Sequence, residues 1–295
     1  MYAYFQKQPR ADADCMLFEF CPHGDLYDFQ SLMWKKNKGI FSEACMWSIY
    51  RQLTWAIAFL HEGVGCSDPR DADIWRPIVH RDVKLENVLI TDLGGKDDYS
   101  SIRIKLGDFG LSAFYDPKNT RMPGQWGTSV LWPPEQTWVG REATPAGDVW
   151  AVGCIIHEMA HNFPPVADPK LHEQHFTALA DAADAGRLPS SWSNSKKQSF
   201  WAATTLRQPL PINLEPNQHV YDKRRNRPTP KYSDKLNMCL QMALAMDREM
   251  RPTAGVLKQR VEEQEAAFHW EELIKENNAI MEDMVEEASV ADWFE

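Results

Sequence analysis

VHRDVKLENVLI, residues 79–90, decides how this chain is read. Apolar residues at both ends (Val79, then Val88, Leu89 and Ile90) bracket a polar centre of His80, Arg81, Asp82, Lys84, Glu86 and Asn87. A packed loop carries so many charges only when they converge on something charged. Asp82 can accept a proton. Lys84, two residues on, can steady a phosphate. Asn87, three further, is a neutral oxygen ligand for a hard cation such as Mg²⁺. Together they suit phosphoryl transfer, in which positioning and charge neutralisation do most of the catalysis.

On the C-terminal side, residues 88–90 and 102–106 read as two short strands joined by a turn over residues 92–98, Asp92-Leu93-Gly94-Gly95-Lys96-Asp97-Asp98. The second strand leads straight into Gly107-Asp108-Phe109-Gly110, so the hairpin returns Asp108 to the end of the lobe that holds Asn87. Residues 108–135 show no periodicity, carry Gly and Pro, and end in Gly127-Thr128 and then Pro133-Pro134-Glu135. Thr144 caps the next helix, with Pro145 at its first position. Residues 149–156 are apolar nearly all round, which predicts a helix buried inside a helical lobe.

On the N-terminal side, residues 15–20, CMLFEF, read as a short buried strand broken by Cys21-Pro22-His23-Gly24, after which Asp25-Leu26 opens a helical stretch. Residues 42–61 form an amphipathic helix capped by Ser42, with Cys45, Ile49, Leu53, Ile57 and Leu60 at helical spacing. Its role is core, with no chemistry on it. Residues 62–77 are a loop. Residues 163–169 and 190–230 are irregular and proline-rich. The second of these carries the basic run Lys223, Arg224, Arg225 and Arg227: an import signal, a docking patch or, most simply, a solvated loop. Residues 233–246 are a further amphipathic helix, and Thr253 caps the last one. There Trp270, Leu273, Ile274, Met281, Met284 and Val285 keep helical spacing. This apolar stripe on an acidic helix either packs back on the lobe or meets a partner helix or basic ligand.

Composition excludes several classes. The chain of 295 residues, 43% hydrophobic and 25% charged, has the balance of a soluble globular protein of one or two domains. It has no apolar run of the roughly 18 residues that suggest a spanning helix. Residues 1–14 have neither the basic start nor the apolar run of a signal peptide. The six cysteines are scattered, so free thiols in a reducing compartment are expected rather than disulfides or a zinc site. Of the net charge of −10, all resides in residues 259–295, with twelve acids and two bases; the other 258 residues balance at 30 and 30. The body therefore has no basic excess that would point to nucleic acid.

Residues 80–87 follow H-R-D-x-K-x-x-N, and D-F-G, G-T, P-P-E, D-V-W-x-x-G and R-P-T follow in order at 108–110, 127–128, 133–135, 148–153 and 251–253. This series, over about residues 15–265, resembles the eukaryotic protein kinases of Ser/Thr type. The family more often has Ala where Pro133 stands. The resemblance implies an α+β, protein-kinase-like fold, mostly a helical C-lobe with a remnant of the β-rich N-lobe. Residues 1–20 would be that remnant, 21–258 the hinge and C-lobe, and 259–295 an acidic C-terminal helix. It implies Asp82, Lys84, Asn87 and Asp108 as catalytic residues, with Asn87 and Asp108 holding Mg²⁺. ATP would meet the backbone of Glu19 and Cys21 at its adenine edge, Asp25 at the ribose, and Lys84, Asn87 and Asp108 at the phosphates, with Phe18 as gatekeeper. Asp148 would bond the backbone of the catalytic loop, and Arg251 would pair with Glu135. Lys84 and Gly127-Thr128 favour a Ser/Thr acceptor on a protein substrate, and Arg81 suggests control by a phosphate on Thr120 or Ser112.

Fourteen residues precede the first recognisable strand, no G-x-G-x-x-G occurs, and Lys7 lacks a V-A-I-K setting. The small lobe is thus expected to be one hairpin of residues 2–5 and 16–20, as in a truncated or degenerate relative. Two functions follow: an intracellular (cytoplasmic or nuclear) Ser/Thr protein kinase, or a non-catalytic pseudokinase or fragment that binds other proteins. Neither reading calls for nucleic acid or a membrane, and the acidic helix is the expected contact for a further partner.

Overall fold

Caps and apolar spacing set six helices and six short strands among the described residues. The computed structural model describes residues 2–8, 10–37, 40–68, 74–95, 99–118, 126–136, 143–168, 191–219 and 229–291. In chain order these are β1 (Ala3–Phe5), β2 (Cys15–Leu17), α1 (Leu26–Asn37), α2 (Glu43–Glu62), β3 (Ile78–Val79), β4 (Val88–Asp92), β5 (Arg103–Leu106), β6 (Ala113–Phe114), α3 (Pro145–His161), α4 (Asn194–Thr204), α5 (Asp234–Ala243) and α6 (Ala254–Ala291). Thr120, the run Lys223, Arg224, Arg225 and Arg227, the turn residues Lys96, Asp97 and Asp98, and the side chains of Met284 and Val285 lie outside what is described.

α2 is the central post. Ser42 Oγ accepts the Cys45 N–H at 3.2 Å and Gly63 closes the far end in the left-handed conformation. Its apolar spacing is used as the sequence predicts: Cys45, Ile49, Leu53, Ile57 and Leu60 are all buried. α3 crosses it, capped by Thr144 with Pro145 in its first turn, and every residue from Val149 to Ile156 is buried. Gly153 lets α3 approach α5 closely, since a Cβ there would lie 2.8 Å from Leu244. α5 and the first half of α6 complete the lobe, with Leu236, Leu240, Leu257 and Val261 in one core with α2 and α3. The Tyr50 hydroxyl donates to Cys239 O at 2.8 Å, a buried polar tie between α2 and α5.

Three two-stranded antiparallel sheets decorate this helical body: β1 with β2, β3 with β6, and β4 with β5. The β4–β5 hairpin pairs Val88 with Leu106 and Ile90 with Ile104, and bulges between Ile90 and Asp92. Arg251, with a fully buried side chain, donates through Nη1 to Glu135 Oε1 at 2.7 Å and through Nη2 to Glu135 Oε2, as the sequence predicts. Among the described residues no helix is long and apolar enough to cross a membrane.

Three expectations need correction. The strand over residues 15–20 is neither that long nor buried: pairing stops at Leu17, and Phe18 and Phe20 are 55% and 83% exposed. Its only pairing partner is β1, so neither face gains a second layer among the described residues. The region 190–230 is not irregular throughout. Ser193 caps α4 by accepting the Lys196 N–H at 3.2 Å, and the prolines that suggested a loop begin only at Pro209. The helix expected over 233–246 ends at Ala243, because Asp247 accepts the Glu249 N–H and caps a new 3₁₀ turn, Arg248–Met250.

Leu53 faces the core where α2 meets its neighbours. Leu53→Ala is expected to lower unfolding free energy by roughly 2–5 kcal/mol, read from urea denaturation with an unchanged m-value.

Candidate active site

The loop between β3 and β4 would be a run of buried polar groups if nothing organised it. Asp148, in the first turn of α3 and 2% exposed, supplies the organiser. Its Oδ2 accepts the His80 N–H at 2.7 Å and its Oδ1 accepts the Arg81 N–H at 2.9 Å. His61 from the last turn of α2 adds a third bond, Nε2 to Asp148 Oδ2 at 3.0 Å. The sequence reads α2 as core without chemistry, and the structure corrects this at one residue: His61 reaches the carboxylate that holds the loop. The signal was a lone histidine at the inward edge of an otherwise apolar face.

His80 carries the connection onward. Its Nε2 lies 2.9 Å from Gly107 O, and its Nδ1 accepts the Asp82 N–H at 3.4 Å. The same ring meets Phe109 edge-on, with centroids 5.0 Å apart. The far side of Phe109 opens on a cleft of about 650 Å³, lined also by Leu53, Phe59, Leu60 and Leu106. Gly107 N–H donates to Asn87 O at 2.8 Å. The residue before Asp108 is therefore bonded to both ends of the 80–87 loop.

Asp82, Lys84 and Asn87 form one bonded cluster. Asp82 Oδ1 accepts from Thr128 N at 3.0 Å and Thr128 Oγ1 at 2.9 Å. Asp82 Oδ2 accepts from Asn87 Nδ2 at 3.2 Å and lies 3.4 Å from Lys84 Nζ. Asn87 Nδ2 also donates to Asp82 O at 2.8 Å, which leaves its Oδ1, an acceptor oxygen, for another partner. Thr128 reaches Asp82 only because Gly127 has φ +80°; a Cβ there would lie 2.2 Å from Arg81 O. Asp108 stands at the exposed end of β5, with φ 54°, and its Oδ1 accepts the Gly110 N–H at 3.2 Å. Arg81, with φ 72°, is the second non-glycine residue here in a left-handed conformation. Each such residue costs of order 1–3 kcal/mol and persists only where surrounding bonds over-determine it.

The three residues expected at the adenine and ribose border the same hairpin. His23 N–H donates to Ile90 O at 3.4 Å, Ile90 N–H donates to Gly24 O at 2.9 Å, and Asp25 bridges Leu89. Asp25 Oδ1 caps α1 by accepting the Asp28 N–H at 2.8 Å, which leaves Oδ2 for another donor. The Glu19 carboxylate is engaged by Lys105 Nζ on β5, and the Cys21 thiol donates to Glu19 O at 3.8 Å.

Donor chemistry fits Mg²⁺ with phosphates. Asn87 Oδ1 and the Asp108 carboxylate are hard oxygens, and magnesium is commonly held by one or two carboxylates plus substrate phosphates and water. Among the described residues no group of three or more His, Cys, Asp or Glu is placed to hold a metal.

Sequence reasoning also missed Arg207. It donates to Trp132 O at 2.6 Å, Ser129 O at 2.8 Å and Thr205 O at 2.7 Å, and so clamps the turn that follows Thr128. Burial pushes its guanidinium down to about 10, still cationic at neutral pH. No motif announces it, because it lies in a polar stretch and its partners are carbonyls. Burial also pushes the Cys154 and Cys239 thiols up, the latter to about 12, so both stay protonated. None of the six cysteines is in a disulfide.

A helical lobe that holds an aspartate, lysine and asparagine in one loop, with a second aspartate at the end of the adjoining hairpin, has the arrangement of a protein kinase domain. Comparison with known proteins agrees. The family model for the protein kinase domain matches residues 1–261, and the chain belongs to that family. It is 32% identical over 164 residues to a probable myosin light chain kinase of Dictyostelium discoideum, covering 55% of this chain and 28% of that protein. It is 31% identical over 208 residues to the G2-specific protein kinase nim-1 of Neurospora crassa, covering 64% and 22%. It is 32% identical over 165 residues to the serine/threonine-protein kinase Nek1 of Toxoplasma gondii, covering 54% and 10%. The chain thus spans under a third of the length of each of these relatives.

Two predictions follow from the site. Asp148→Ala leaves two buried loop N–H groups without their acceptor and is expected to cost roughly 3–5 kcal/mol, seen as a lowered Tm. The second concerns Glu158 on α3, whose carboxyl is pushed up to about 7 by burial and, secondarily, by Glu86. Between the ordinary carboxylate range and pH 7 the folded chain keeps a proton that the unfolded chain has lost. Stability therefore falls as pH rises through this window and is flat above it. Glu158→Gln should remove that slope: relative to wild type it should gain about 2–3 kcal/mol at pH 8 and little at pH 4.5, in urea unfolding at the two pH values.

Proposed function

We propose that this chain carries the acceptor- and phosphate-binding lobe of a Ser/Thr protein kinase, moving the γ-phosphoryl group of ATP to a protein hydroxyl. The observation that carries this is the single cluster of Asp82, Lys84, Asn87 and Thr128, bonded through Gly107 to the strand end that presents Asp108. Asp82, held at Oδ1 by Thr128 and at Oδ2 by Asn87, orients the acceptor hydroxyl and takes up its proton. Lys84 faces the charge that builds on the transferred group. Asn87 Oδ1 and Asp108 are the atoms for Mg²⁺, which supplies charge neutralisation at the phosphates. The main chain of Glu19 and Cys21 is the place for the adenine edge, and Asp25 Oδ2 for the ribose.

Lys84 and Gly127-Thr128 support Ser or Thr rather than Tyr as acceptor, as do relatives whose names specify serine/threonine kinases. The buried Arg81 Nε has no hydrogen-bond partner, which supports a role in receiving a phosphate on Ser112 or Thr120. The hinge and helical lobe occupy 21–258, the acidic helix follows, and cysteines outside any disulfide suit an intracellular setting, cytoplasmic or nuclear. Protein substrates and a partner for the acidic helix complete the reading.

Phosphate transfer from labelled ATP to a generic basic protein, with purified wild type, Asp82→Asn and Asp108→Asn side by side, is the test. Each variant is expected to lose about 10²–10⁴-fold. Equal signal from all three would mean a contaminant. Saturating Mg²⁺·ATP should also raise wild-type Tm, by about 2.7 kcal/mol of stabilisation at a hundred times Kd. No shift, with no transfer, would make the chain a non-catalytic binding module.

A further inference from the structure

The Arg207 guanidinium is largely withdrawn from water, and among the described residues it has no carboxylate partner. Main-chain carbonyls take its hydrogen bonds instead. Nε donates to Trp132 O at 2.6 Å, Nη2 to Ser129 O at 2.8 Å, and Nη1 to Thr205 O at 2.7 Å and Ala202 O at 3.2 Å. A charge taken from water without a counter-charge is costly, so every bond that meets it counts. The carbonyls gain as well. Ala202 lies in the last turn of α4 and Thr205 just past its end, where carbonyls lack intrahelical donors and the helix dipole favours a cation. Ser129 opens the 3₁₀ turn Ser129–Leu131 that follows Thr128, and Trp132 ends it. The backbone of the arginine is itself fixed. Ala167 N–H donates to Leu206 O at 2.8 Å and Gln208 N–H to Pro165 O at 2.8 Å, which ties both neighbours of Arg207 to the segment after α3. Arg207 is thus an anchored fork with one arm on α4 and the other on the turn.

The turn leads directly to Asp82. Leu131 N–H donates to Thr128 O at 2.9 Å, and Thr128 gives Asp82 Oδ1 two hydrogen bonds, from N at 3.0 Å and Oγ1 at 2.9 Å. The other oxygen, Oδ2, faces Asn87 and Lys84 within the 80–87 loop. Asp82 is therefore steadied from two sides, and Arg207 reaches only the Thr128 side. We propose that Arg207 is a positioning residue for the acceptor: by holding the turn Ser129–Leu131 at both ends it sets Thr128 against Asp82, and through Thr128 it aims the carboxylate that meets the acceptor hydroxyl. This builds on the reading of Asp82 as the group that orients that hydroxyl. Among the described residues none of Lys84, Asn87 and Asp108 bonds to the turn, so the nucleotide side of the site stays outside its reach.

Arg207→Lys in the full chain keeps the charge but replaces the fork with a single point, and its fold is checked by circular dichroism. Amide hydrogen exchange, read residue by residue by NMR, should speed at least about tenfold at Thr128 and Leu131 and stay as in wild type at Leu53 and Ile57 of α2. In phosphate transfer from labelled ATP to a generic basic protein, kcat/KM for the acceptor should fall at least about tenfold through a raised acceptor KM, with the KM for ATP unchanged. An arginine that merely stabilised the lobe would give a different result: kcat would fall with the folded fraction and both KM values would stay put. The proposal is overturned if Thr128 and Leu131 exchange as in wild type, if exchange rises equally in α2, if kcat alone falls, or if the KM for ATP rises as much as that for the acceptor. Should Arg207→Lys not fold, Arg207→Gln takes its place in the same measurements. Failure of both to fold also overturns the proposal, because the arginine then holds up the whole lobe. Wild type that transfers no phosphate would sink the reading of the chain as a kinase, and exchange alone would then decide whether Arg207 holds Thr128 in place.

Discussion

The Asp148 carboxylate is the constraint on which the rest of the site depends. It sits in the first turn of α3, where the helix dipole favours negative charge, and it is fully withdrawn from water. A buried carboxylate is tolerated only when its lone pairs are used, and here three donors use them: two main-chain N–H groups of the 80–87 loop and His61 from α2. The cost of burying the charge and the cost of leaving loop N–H groups unpaired are both met by the same bonds. Neither can be relieved without the other, so the loop has one conformation relative to the two most deeply buried helices.

From that anchor the remaining geometry propagates by short steps. Arg81 is held in a left-handed conformation because its N–H is fixed by Asp148, and that turn aims Asp82 at Thr128. Gly127 has no side chain because the Arg81 carbonyl occupies the place where a Cβ would stand. His80 spans from the loop to Gly107, and Gly107 returns a bond to Asn87. Segments 20 to 68 residues apart thus share one hydrogen-bonded network, and the left-handed Arg81 lies inside it. Membership of the protein kinase family accounts for the order of the motifs; the bonds account for why those residues must be those types.

α6 poses the opposite situation. Its inner half is welded into the core by Leu257 and Val261, while its outer half presents apolar side chains to solvent. The body is neutral overall and the last 37 residues hold the whole net charge of −10. The lobe therefore separates an end built of buried, hydrogen-bonded polar groups from a helix end that stands exposed.

Local pattern was enough to read α2, α3, the β4–β5 hairpin and the order of the site segments. Apolar spacing, the Ser42 and Thr144 caps, Pro145 and the hairpin turn act within a few residues of themselves. The same pattern misread the strand after Cys15 as buried, because whether a strand has a layer over it is settled by distant chain. It overlooked α4, because nearby prolines outweighed a capping serine. His61 and Arg207 were invisible as working residues, since a histidine on an apolar face or an arginine in a polar loop looks the same whatever it meets. The two-sided helix shows the division most plainly. Residue order alone set two apolar stripes half a turn apart, but only the packing of α6 on α2 and α5 decided which stripe was core and which was left facing water, because only one side of a rigid helix can face the body that holds it.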